Sequence, residues 1–486
     1  MRNKLITVQC AVAAAMCLTL ATAAPQQNDA APGQKAAENG RGKRRGPPGP
    51  VPRLSDGKPD LTGMWNAFGS VGREEKAPNM LPWAEAVVAR HIANDSAEDF
   101  EARCLPGGPP RPSPYLNEFV STPKLVVLLS EGNTHMYRQF FVDGSDHPKD
   151  LHPTFYGDSR AHWEGDTLVV DTIGLFDKSW IDFSGTPHTP QMHLIETFHR
   201  VDFGNLEMQV TIDDPGAFSK PWVMDRSTTL DTRAEMLEYV CNENNQDADH
   251  LHAAFRTDMT GVGTRETLRA GGVPPVKPPK RPSPPSGATP YTQDGKVDLS
   301  GIWIPTSTVL PSDPSYQPWA QKIYDQRKAN KGKDDPERYC LPDGAVRVNP
   351  LPYKIVQRQD LVLELMEGDT HSFRRFFLDG RAHNLDIEPE SWTGQSIAKW
   401  DGDTLVVDTV GFNDKSWLDS TGKPHSNSMR LTERYRRPDL GHLSVDITIA
   451  DEKALTKPYQ FTRTFTLAPG LELREYVCQA ILDGLF

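Results

Sequence analysis

Long apolar stretches are what this sequence has least of. Beyond residue 24, no segment reaches the roughly 20 apolar residues of a membrane-spanning helix. Excess positive charge is missing as well. The 486 residues carry 53 Lys+Arg against 65 Asp+Glu, a formal charge of −12, which argues against a nucleic-acid partner. The one basic run, Arg-Gly-Lys-Arg-Arg at 41–45, leads into a Pro/Gly stretch and reads as a solvated tail. There is no Gly-rich phosphate loop, dinucleotide fingerprint, His-Glu-x-x-His pair or Gly-x-Ser-x-Gly elbow. Nucleotide cofactors, the common zinc-hydrolase helix and the α/β-hydrolase nucleophile therefore drop out.

Cysteine is scarce, and two of the six lie in a leader. Residues 1–24 open with Arg2 and Lys4, continue through an apolar stretch and end in Ala-Thr-Ala. This is the pattern of a secretory signal peptide cleaved near Ala23 or Ala24, and it predicts a periplasmic or secreted protein. Cys10 and Cys17 leave with it. Cys104, Cys241, Cys340 and Cys478 remain, an even number suited to disulfides in an oxidising compartment.

What the chain does have is a repeat. Gly-Asp-Thr-Leu-Val-Val-Asp-Thr stands at 165–172 and again at 402–409, and the windows 163–182 and 400–419 agree at 15 of 20 positions. The pairing extends to Trp65 and Trp303 (offset 238), His147 and His383 (236), and Cys241 and Cys478 (237). A period this long means tandem domains, not a solenoid. The predicted order is the signal at 1–24, a low-complexity linker at 25–54, a first repeat at 55–255, a linker at 256–293 that is Pro-rich from 272, and a second repeat at 294–486.

In the first copy, runs rich in Val, Leu, Phe, Tyr and Thr predict strands near 61–67, 124–130, 135–142, 159–163, 167–173, 191–201, 205–213, 221–230 and 235–241. Residues 81–92 read as a short helix. The fold class is therefore mainly all-β: two tandem antiparallel barrels or barrel-like domains. Within the octapeptide, Leu168 and Val170 share one face while Val169 and Asp171 share the other. In a simple meander the tight turns 131–134, 164–166, 202–204 and 231–234 fall at one end. The long loops 143–158, 174–190 and 214–220 then crowd the opposite rim. Cys104 and Cys241 fall at that rim, so the expected bridges are Cys104–Cys241 and Cys340–Cys478.

The same loops supply the candidate site. The first carries His147 and Asp150, matched by His383 and Asp386. The second carries Lys178, Ser179, Trp180, Asp182 and His188, matched by Lys415, Ser416, Trp417, Asp419 and His425. The third ends in Lys220 and Lys457. Two imidazoles with carboxylates to orient them suit acid–base chemistry near neutral pH, and an indole suits stacking on a ring. Each residue also has a structural reading, as a turn former or loop brace. No cofactor is predicted. A divalent metal on His147, His152 and His188 is an alternative, and a triad of Ser179, His188 and Asp182 is another.

The motifs Asp-Gly-Lys-Pro-Asp-Leu-Thr-Gly-Met-Trp, Tyr-Arg-Gln-Phe-Phe-Val-Asp-Gly, Asp-Lys-Ser-Trp-Ile-Asp and Leu-Glu-Tyr-Val-Cys, with the octapeptide, resemble a large uncharacterised family of exported bacterial proteins. That resemblance implies export and a β-rich domain, and brings no activity. The Gly-x-Trp openings are also similar to those of lipocalin-like barrels, which implies an interior sized for one small ligand. Three functional readings follow. One is an exported, cofactor-independent lyase, hydrolase or isomerase acting on a small aromatic or glycosidic molecule. The second is a lipocalin-like periplasmic binding or carrier protein. The third is a structural module of the cell envelope.

Overall fold

A computed structural model of the chain describes residues 46–68, 77–111, 113–132, 136–243, 282–347, 351–368, 373–386 and 390–483. The segment predicted as a signal and much of both predicted linkers lie outside these residues. The first copy builds β1 (Gly63–Trp65), α1 (Pro82–Ala93), β2 (Asn117–Ser121), β3 (Leu125–Ser130), β4 (Tyr137–Phe141), β5 (Asp158–Glu164), β6 (Thr167–Ile173), β7 (His193–Arg200), β8 (Asn205–Asp213) and β9 (Trp222–Thr229). The second copy repeats the order. It has β10 (Gly301–Pro305), α2 (Pro318–Ala329), β11 (Tyr353–Gln357), β12 (Leu361–Met366), β13 (Phe373–Phe377), β14 (Gln395–Asp401), β15 (Thr404–Val410), β16 (Arg430–Arg436), β17 (His442–Ala450), β18 (Tyr459–Leu467) and a closing helix α3 (Cys478–Asp483).

Each set of nine strands pairs in sequence order. The second closes into a barrel, with β10 bonded to both β11 and β18. The first is nearly closed, as Trp65 bridges to Leu230 just past β9. Two tandem β-barrels are thus the architecture. Alternation fills them: in β6 the inward Leu168 and Val170 are fully buried while Val169 and Asp171 lie on the outer wall. One end of each barrel, its base, is sealed by the Gly-x-Trp tryptophan. Trp65 donates to Leu61 O and lies 5.0 Å beneath the Arg200 guanidinium; Trp303 and Arg437 repeat this at 4.9 Å.

The barrels are not simple meanders. β4 and β5 run parallel, as do β13 and β14, where the sequence predicted antiparallel neighbours. A parallel pair needs a crossover. The segment 142–157 therefore runs from the base along the wall to the opposite end, the mouth. The end of β3 and the start of β4 consequently lie at the mouth beside the long loops, and the tight connections do not all share one end. Two further expectations change. Residues 117–121 form a strand that was not predicted, and 235–241 do not form one.

That last segment is an arm. Glu238 of the first copy accepts from Trp392 N and Thr393 N of the second, at 2.6 and 3.2 Å. Glu475, its counterpart, accepts from Phe155 N and Tyr156 N of the first at 2.7 and 2.9 Å. Each copy thus reaches into the other. Between them lies an apolar seam of Val120, Val127, Leu129, Val356, Leu363 and Phe373. It is flanked by Glu118–Arg375 at 3.1 Å and by the matching Lys354–Gln139 contact. Both expected disulfides are present, Cys104–Cys241 and Cys340–Cys478. Among the described residues no helix is long and apolar enough to cross a membrane.

Burial pushes the Glu475 carboxyl up to about 7, against the pull of its two N–H donors. A carboxyl raised on folding is stabilising below its unfolded value, and that stability is lost as pH rises toward the folded one. The stability advantage of the wild type over Glu475→Gln should therefore shrink from pH 5 to pH 8 in urea titrations. An advantage that grows with pH contradicts the burial argument.

Candidate functional site

The mouth loops do not gather the predicted acid–base pair into one site. His188 and His425 are buried beneath the loops. The Ser179 hydroxyl lies 3.0 Å from His188 Nε2, and His188 Nδ1 faces Thr189 O at 3.2 Å. His425 repeats this with Ser416 at 2.8 Å and Ser426 O at 3.1 Å. Burial lowers both imidazoles from the ordinary histidine value, so they stay neutral. Asp182 does not complete a triad. It accepts from Ser184 N, Thr186 N and the Thr186 hydroxyl, which pins the loop. Asp419 does the same for Thr421 and also holds Lys423 at 2.9 Å.

The tryptophans are covered too. Trp180 stacks on His91 of α1 at 4.3 Å, and Trp417 lies under Arg327 of α2 at 4.7 Å. Lys178, Lys220 and Lys457 are exposed, and Lys415 pairs with Glu243 of the first copy's arm.

His147 and His383 sit elsewhere, on the outer wall. His147 Nδ1 meets Asp158 at 2.5 Å, and its Nε2 lies 3.5 Å from Asp171, which also binds His193 at 2.5 Å. His383 meets Asp408 at 3.0 Å, and Arg430 holds the same carboxylate at 2.6 Å. The carboxylates beside these imidazoles are thus Asp171 and Asp408, the second Asp of each octapeptide, together with Asp158. Asp150 and Asp386 are exposed, as is His152. Among the described residues no group of three or more His, Cys, Asp or Glu side chains could hold a metal ion, so His147, His152 and His188 do not assemble into one.

The concentration of buried charge is inside the barrels. In the first, Arg138 on β4 binds Glu196 on β7 at 2.5 and 3.2 Å and reaches Thr172 at 3.5 Å. Arg226 on β9 donates to Pro110 O in the loop that roofs the mouth. In the second, Arg374 binds Glu433 at 2.6 Å and Glu364 at 3.1 Å. The Tyr435 hydroxyl donates to Glu433 at 3.1 Å. Arg463 donates to Val346 O of the roof, and its buried Nη2 has no hydrogen-bond partner among the described residues. Desolvation lowers Arg463 and Arg226 from the usual arginine range.

These groups line a small cavity of about 40 Å³ in the second barrel and about 60 Å³ in the first, each open to the surface. The second is walled by Tyr353, Tyr435, Val445, Ile447 and Phe465 beside the charges. The roof is itself tied down: Arg347 binds Asp335 at 2.6 Å, and Arg111 binds Asp99 at 2.7 Å and Glu101 at 2.6 Å.

Arg138 and Arg374, Glu196 and Glu433, and Arg226 and Arg463 are repeat partners at offsets 236, 237 and 237. They were present in the sequence as charged letters at inward-facing strand positions. The copies part at Glu364, whose counterpart is Leu128, and at Tyr353 and Tyr435, which replace Asn117 and Phe198.

No family model and no curated protein matches the chain. Among solved structures, it is similar to a protein of unknown function of the DUF3598 family from Nostoc punctiforme. That match has 9% identity, covers 84% of this chain and 96% of that one, and has a TM-score of 0.17, which carries no argument about fold or function.

Proposed function

We propose that this chain is an exported binding protein that holds a small organic anion, a carboxylate on an apolar or aromatic body, inside each barrel. The observation that carries the reading is Arg463. A guanidinium buried in a cavity costs several kcal/mol in desolvation unless its donors are satisfied, and the Arg463 Nη2 faces no acceptor among the described residues. A ligand carboxylate is the acceptor that a guanidinium fork fits best. The aromatic and aliphatic walls suit the rest of such a molecule. Export is supported by the signal pattern, by the two disulfides and by the resemblance to exported β-rich proteins. Catalysis at the mouth by His188 or His425 draws less support, because both imidazoles are buried and bonded to loop groups.

The test is thermal denaturation and calorimetry with benzoate, hexanoate and the neutral analogue benzyl alcohol. Both carboxylates should raise the melting temperature while benzyl alcohol does not. Arg463→Met should lower benzoate affinity at one of two sites by at least tenfold. No shift with either acid at millimolar concentration overturns the reading, as does an equal response to benzyl alcohol.

A further inference from the structure

The two interiors differ in their balance of charge, and the difference has a consequence for what enters with the ligand. In the first barrel Arg138 and Arg226 face the single carboxylate Glu196, while Leu128 occupies the place of Glu364 and the roof's Arg111 is already taken up by Asp99 and Glu101. An anion therefore arrives in a cavity with one surplus positive charge. In the second barrel Arg374 and Arg463 face two carboxylates, Glu364 and Glu433, and no surplus remains. Arg374 sits between the two, 3.1 Å from Glu364 and 2.6 Å from Glu433. Glu433 has the better share: it takes two bonds from Arg374 and one from Tyr435. Glu364 takes one from Arg374. A third carboxylate beside Arg463 raises the cost of keeping Glu364 ionised, because like charges in a low-dielectric site cannot all persist.

We propose that the second barrel binds its organic anion together with one proton, which comes from the solvent and is held on Glu364. This rests on the anion-binding reading above and adds the coupling that only the second copy can make. The proton converts the Glu364 carboxylate to a neutral carboxylic acid, which restores one positive charge for the incoming anion. The groups that face Glu364 are Arg374 on β13, Glu433 and Tyr435 on β16, Arg463 on β18, Tyr353 on β11, and Asp343 and Arg347 of the roof. Arg374 and Arg463 oppose its protonation, while burial and Glu433 favour it. Burial dominates and raises the Glu364 carboxyl to about 7, so the group can exchange a proton at ordinary pH. The second barrel therefore releases its anion as pH rises above neutral.

The experiment is calorimetric titration of the full-length oxidised protein with benzoate at pH 8, in two buffers of different ionisation enthalpy. The difference between the buffers gives the protons taken up per benzoate bound. The expected result is uptake approaching one proton at the second-barrel site, and an affinity that falls about tenfold from pH 8 to pH 9. Glu364→Leu, which copies the first barrel, should abolish this uptake and raise benzoate affinity at pH 8. Glu364→Gln should abolish the uptake while keeping a polar partner for Arg374, and it serves if the leucine variant does not fold. Benzoate binding with no proton uptake in the wild type overturns the coupling but leaves the binding reading standing. So does uptake that persists in a folded Glu364 variant. No benzoate binding at all overturns the binding reading itself.

Discussion

Arg374→Met should destabilise the protein by about 3–5 kcal/mol, the cost of leaving buried carboxylates without their cation. Arg374 is 5% exposed and is the only cation bonded to Glu433 among the described residues, and Glu364 bonds to it as well. Methionine keeps most of the side-chain volume and its contact over Phe376, so the loss measures charge more than packing. The stranded carboxyls should take up protons, which gives the loss a sign with pH. Raised carboxyls stabilise below their unfolded values and lose that contribution as pH rises, so the variant should be closer to wild type at pH 5 than at pH 8. Adding Glu364→Gln and Glu433→Gln should recover part of the loss at pH 8. Urea titrations at both values decide it. A loss below about 1 kcal/mol, or one larger at pH 5, means that the network is wetter and weaker than its geometry indicates.

Replacing Cys104 and Cys241 together by serine should cost a comparable amount. The bridge closes 137 residues, and in the chain-entropy model a loop of that length is worth about 4–5 kcal/mol. The effect reaches past the loop itself. Cys241 fixes the end of the arm that carries Glu238 to Trp392 and Thr393. The variant should therefore loosen the second barrel's 391–394 turn as well, seen as faster amide exchange at Trp392 and Thr393. A variant within about 1 kcal/mol of wild type, with exchange unchanged there, rules out both effects.

Much of this architecture was readable from the letters, for physical reasons that also mark where reading failed. Leu168 and Val170 against Val169 and Asp171 gave the two faces of β6 because a strand alternates. The disulfides followed from the order of elements around the mouth. β2 escaped because all five residues, Asn117–Ser121, are buried. One face points into the barrel and the other into the seam, so no polar alternation survives. The parallel β4–β5 pair escaped because alternation is blind to strand direction. Segment 235–241 has a strand's composition, yet the Glu238 side chain bonds the other copy's backbone and no ladder forms.

The interior site proposed above was not read from the sequence for a related reason. His147, His188 and Trp180 stand out in loops, where function usually lies. Arg138, Glu196 and Arg226 sit at inward positions of strands, where a charge is costly. Their exact repetition at 236–237 residues was the available signal.

The seam between the barrels has one more implication. Glu118 meets Arg375 as Lys354 meets Gln139, and Glu238 meets 392–393 as Glu475 meets 155–156. Exchanging the copies maps each contact onto its mate, which is the rule of a two-fold, self-complementary dimer interface. A chain with one copy would carry both halves of that interface and would pair with itself, trading arms. Joining the copies in one polypeptide makes the pairing independent of protein concentration, as tethered partners do not separate on dilution. It also frees the two interiors to diverge, so that Glu364 can appear in one barrel and Leu128 remain in the other. A symmetric dimer of identical chains could not hold that difference.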